Sequence, residues 1–88
     1  MTQKIVNELR RRIQGTYNIN RNRERYDADK FVEFKALRNK LISFKNLNYK
    51  ASKGEIILPY NFEKEVKGEC SKFDKIVKEL TGYGMPSA

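Results

Sequence analysis

Six arginines lie between Arg10 and Arg25, with Glu24 the single acid among them, and they are the residues of this sequence best suited to chemistry. A guanidinium is a rigid, permanently charged fork of donors. It matches phosphate and carboxylate oxygens and stacks on flat rings, which scattered lysines do less well. The set Arg10, Arg11, Arg12, Arg21, Arg23 and Arg25 therefore points to an anionic partner. Tyr17 and Tyr26 stand at the two ends of the connection carrying the later arginines. Rings beside arginine are what single-stranded nucleic acid uses for base stacking and phosphate contact. Two plainer explanations compete. Cations in the last turn of a helix stabilise its negative end, and a tyrosine at an element boundary covers the edge of a core.

The rest of the sequence argues against catalysis. There is no histidine, the commonest general base and metal ligand. Cys70 is alone and falls on an apolar helical face, where a thiol behaves as a small hydrophobe. No zinc spacing, phosphate-binding glycine loop or nucleophile motif occurs. Asp27, Asp29 and Glu33 could hold a magnesium ion, but helix capping accounts for them more simply. Glu33-Phe34-Lys35 has the acid-x-lysine order of some nucleases, which need it on a strand, and here it sits inside a helical pattern. The sequence predicts a non-enzymatic protein without cofactor or metal.

Composition sets the frame. Eighty-eight residues make one small domain, expected over 1–82, with a loose tail over 83–88. The 19 Lys and Arg against 11 Asp and Glu leave a net charge of +8, which favours polyanions. A single cysteine permits no internal disulfide and suits a reducing cytoplasm. No apolar run approaches the roughly 20 residues of a membrane span, and the start lacks the apolar segment of a secretory signal.

Three helices are expected to position these residues. Thr2 to Gln14 carries Ile5, Leu9 and Ile13 on one stripe, with Thr2 as cap and Gly15 as stop. Residues 16–26 read as a polar connection, in which alternate arginines of an extended segment would project to one side. Asp27 to Lys45 is the second helix, capped by Asp27, with Phe34, Leu37, Leu41 and Phe44 on its inner face. Residues 48–60 suggest a short β-hairpin around Ser52-Lys53-Gly54-Glu55, or an extended segment ended by Pro59. Asn61 to Leu80 is the third helix, with Asn61 as cap, Gly82 as stop, and Phe62, Val66, Cys70, Phe73, Ile76, Val77 and Leu80 facing inward. Gly68 is expected to weaken or kink it, and Glu69, pointing into that stripe between Val66 and Phe73, needs a cationic partner, Arg12 or Arg38. All five Phe fall on apolar faces, and all five Tyr fall in connections or near termini. The fold class is mainly α: a small three-helix bundle with a hairpin or extended segment between the second and third helices.

Three functional readings follow. The first is a small nucleic-acid-binding regulator, DNA or RNA, gripping phosphates with Arg10–Arg12 and Arg21–Arg25, stacking on Tyr17 or Tyr26, and hydrogen-bonding through Asn18, Asn20 or Asn22. The second is an inhibitor or adaptor docking its basic face on an acidic surface of a nucleic-acid-handling enzyme. Compact basic chains of this style occur among regulators encoded by viruses and mobile elements. The third is a subunit of a larger assembly whose arginine segment orders on contact. A homodimer is compatible with all three.

Overall fold

The protein is described by a computed structural model over residues 3–82. Its elements are α1 (Gln3–Gly15), a short α2 (Tyr17–Arg21), a 3-10 turn (Arg23–Arg25), α3 (Ala28–Ser52) and α4 (Phe62–Thr81). The expected cap at Thr2 and the tail 83–88 with Tyr83 lie outside the described residues.

α3 is the spine. It packs against α4, α1 and the 3-10 turn, whereas α1 and α4 touch each other less. At about 1.5 Å per residue its length accounts for most of the 41 Å long axis. Asp27 starts it as expected, its carboxylate accepting the Lys30 amide at 3.0 Å. The core holds Ile5 and Leu9 of α1, Ile19 of α2, Phe31, Phe34, Leu41 and Phe44 of α3, and Phe62, Val66, Cys70, Phe73, Ile76 and Val77 of α4. Each of the five Phe is buried, as the separation of Phe from Tyr implied. Their rings connect the helices: Phe34 stacks on Phe73 at 5.5 Å, and Phe44 meets Phe62 edge-on at 5.4 Å.

Two expectations are corrected. The hairpin over 48–60 does not form, and there is no strand among the described residues. The inner stripe 34, 37, 41, 44 continues in the same 3–4 rhythm to Asn48, so α3 runs to Ser52. The Gly54 turn is instead a helix stop. Gly54 takes the left-handed conformation (φ 79°), its amide donates to the Ala51 carbonyl, and the Glu55 amide donates to the Lys50 carbonyl, both at 3.0 Å. Residues 56–59 are neither helix nor strand, and Ile56 and Leu58 are half-buried while Ile57 and Pro59 are exposed. The polar connection 16–26 is likewise more structured than expected. Ile19 is buried, and Thr16, fully buried, donates its hydroxyl to the Arg12 carbonyl at 2.7 Å. That burial holds a five-residue helix that propensity alone would not.

α4 runs unbroken through Gly68, and Gly82 closes it in the left-handed conformation, its amide donating to the Lys78 carbonyl. Asn61 stands at the cap position but makes no side-chain cap bond. No helix among the described residues is long and apolar enough to cross a membrane.

Candidate nucleic-acid interface

The six clustered arginines divide by position. Arg12 points inward, on the same face as Ile5 and Leu9, and is buried. Its Nε donates to Asp74 Oδ1 at 2.9 Å, its Nη2 to Asp74 Oδ2 at 2.8 Å, and its Nη1 to the Glu8 carbonyl at 3.1 Å. The bond to Asp74 raises the guanidinium pKa above its ordinary value, against the opposing effect of burial. Arg12 is thus a tie between α1 and α4 and contributes no surface charge for a partner.

Arg10 and Arg11 follow at about 100° steps around α1, and both are exposed. Arg10 lines the groove between α1 and α3, while Arg11 stands beside Lys4, Asn7 and Glu8 on the α1 surface. Arg21, Arg23 and Arg25 are also exposed. Among the described residues none of these five forms an ion pair. Arg21 lies over the Tyr17 ring, 5.5 Å from its centroid, and Arg23 over the Phe31 ring at 5.9 Å. The expectation that Arg21, Arg23 and Arg25 share one side of an extended strand does not hold. A 3-10 turn has about three residues per turn, so Arg23 and Arg25 diverge.

The two tyrosines separate as well. Tyr17 is 54% exposed. Tyr26 is half-buried and packs against the core, its ring stacked on Phe31 at 6.4 Å. Of the asparagines, Asn22 donates its side-chain amide to the Asn18 carbonyl at 2.7 Å, a local bond that shapes the segment. Asn18 is exposed and Asn20 half-buried.

Arg38 holds the segment's near end in place. Its Nε donates to Thr16 Oγ1 at 3.1 Å and its Nη2 to the Ile13 carbonyl at 2.8 Å, the second satisfying a carbonyl that α1 leaves open where it ends. Burial lowers its pKa. The pairing of Glu69 with Arg12 or Arg38 is corrected: Glu69 meets Lys40 at 3.8 Å and Lys72 at 3.5 Å. α4 serves two neighbours, with Cys70 and Asp74 toward α1 and Glu69 toward α3, so the carboxylate within reach of Arg12 is Asp74.

Sequence reasoning missed Asn48. It is buried at a core position of α3, and its Oδ1 has no hydrogen-bond partner. A buried unpartnered acceptor costs about 1–3 kcal/mol and calls for an explanation. The signal was present in the sequence: one more 3–4 step from Phe44 lands on a polar residue. Among the described residues no cluster of His, Cys, Asp and Glu could hold a metal ion. No known protein family matches the chain, and no curated protein or solved structure shows significant similarity to it.

Proposed function

We propose that the protein is a small nucleic-acid-binding regulator without catalytic activity, and that Arg10, Arg11, Arg21, Arg23 and Arg25 meet the phosphates. The observation that carries this reading is the exposure of five arginines within a sixteen-residue stretch, none of them neutralised by a carboxylate among the described residues. Tyr17, exposed and already held against Arg21, adds a ring on which a base can stack. Arg12 and Tyr26 have no part in it, being committed to the interior. Binding to a labelled oligonucleotide at several salt concentrations tests the proposal. Five phosphate contacts give log K against log salt a slope of about −4.5 on duplex and about −3.5 on single strands. Absence of affinity even at low salt overturns it.

A second reading has its own support. Ile57 is 96% exposed and Tyr60 fully exposed, and phosphate contact has no use for such residues. They favour an adaptor whose basic surface docks on an acidic protein, with this connection supplying apolar contact. A partner retained at a 1:1 ratio after nuclease treatment, with no oligonucleotide binding, selects this second reading.

A further inference from the structure

The groove between α1 and α3 has a composition that the surface arginines alone do not explain. It encloses about 450 Å³, within the roughly 300–1,000 Å³ of small-ligand clefts. Arg10 enters from α1, and Lys45, Asn48, Tyr49 and Ser52 from α3, with no carboxylate in its lining. Asn48 is more than nine-tenths buried and its Oδ1 lacks a partner. Tyr49, the next residue, is 63% exposed, with the Lys53 ammonium 5.1 Å from its ring centroid.

We infer that this groove receives one unpaired nucleotide of a single strand, its base stacked on Tyr49 and edge-bonded to Asn48, its phosphate held by Arg10 and Lys45. The inference rests on the nucleic-acid reading above and narrows it from polyanions in general to unpaired bases. Each group of the groove finds a complement in that ligand. The unpartnered Oδ1 is closed to solvent, so a base engages Asn48 by a turn of its carboxamide that brings acceptor and donor together to the amino group and ring nitrogen of adenine. In a duplex, base faces are stacked on one another and closed to a tyrosine ring. A strand that splays its bases offers both face and edge. Two cations without a neighbouring acid suit the adjoining phosphate. Arg10 belongs to the groove and to the arginine cluster alike, so one strand can run from the cluster into the groove.

The test compares two single strands of about a dozen nucleotides, one of adenines and one of abasic sites, which keeps the phosphates and removes the bases. The full chain is expected to bind the adenine strand more tightly. Tyr49→Ala and Asn48→Leu are each expected to weaken that strand about tenfold, the effect of one lost base contact, while leaving the abasic strand unchanged. Tyr49→Phe keeps the ring and is expected to bind normally. Tyr49 is exposed, so its replacement leaves the core intact even if Asn48→Leu disturbs it. Equal affinity for the two strands, equal weakening of both, or full competition by duplex overturns the groove and leaves the arginine reading standing. Failure to bind either strand or a duplex at low salt overturns both.

Discussion

Arg12 of α1 and Asp74 of α4 meet through two parallel hydrogen bonds, 2.9 and 2.8 Å, across 62 positions of sequence. The arginine is nearly enclosed, while the carboxylate keeps about a third of its side chain in water. The asymmetry decides what removal of each partner does. Asp74→Asn leaves a buried guanidinium facing a neutral amide and is expected to cost about 1–3 kcal/mol. Arg12→Met fills the site with an apolar chain and leaves a carboxylate that water can reach, so it is expected to cost less. Urea melts of both variants and the double variant check the order, and equal losses would contradict it. Because the pair raises the Arg12 pKa, the stability that depends on Arg12 protonation is undiminished as pH rises from neutral and is lost in strong alkali.

The arginines separate by role, and salt dependence reads the separation. Replacing Arg21, Arg23 or Arg25 with Gln is expected to weaken oligonucleotide binding and reduce the salt slope by about 0.7–0.9 per residue, with little effect on melting. Arg12→Met is expected to lower stability and leave the slope unchanged. A slope that falls as much for Arg12 as for the exposed arginines would contradict the division.

Gly68 lies inside α4, and a methyl group there would meet nothing within 4 Å. Gly68→Ala is therefore expected to stabilise by about 1 kcal/mol. For a domain of this size that raises Tm by roughly 4–8 °C. An unchanged or lower Tm would show that the glycine serves the surface between α3 and α4 rather than the helix.

Cys70 is buried, and desolvation pushes its thiol pKa up from the ordinary 9.0, partly offset by Arg12. Below that ordinary value the thiol is neutral in both folded and unfolded chains. As pH rises past it, the unfolded chain ionises first, so stability falls until the folded thiol also ionises. Cys70→Ala is expected to melt lower at neutral pH, from the cavity, and to lose less than the native chain between neutral and alkaline pH. Parallel curves for the two proteins would contradict this.

Much of the fold was legible because its signals are local. The seven apolar residues of α4 declared one face, the Asp27 cap and Gly82 stop declared ends, and Phe separated from Tyr as core separates from boundary. What the sequence hid depends on distant contacts. The short α2 owes its shape to the burial of Ile19 and Thr16, which polar neighbours disguised. Gly54 serves equally as a hairpin turn or a helix stop, and only the continued stripe to Asn48 distinguishes them. Arg12 looked like a member of the exposed cluster because its neighbours are arginines. A helical wheel places it inward, but the acid that makes this tolerable stands far along the chain.

The order in which α3 finds its neighbours has a consequence for synthesis. Among the described residues six of the thirteen buried apolar side chains belong to α4, so a nascent chain halted before Phe62 would leave Phe34 and Phe44 without the Phe73 and Phe62 rings that pack on them. Closure of the bundle must therefore wait until the last helix clears the ribosome. Truncated translation products should be sticky, quickly degraded species rather than a smaller working version of the protein.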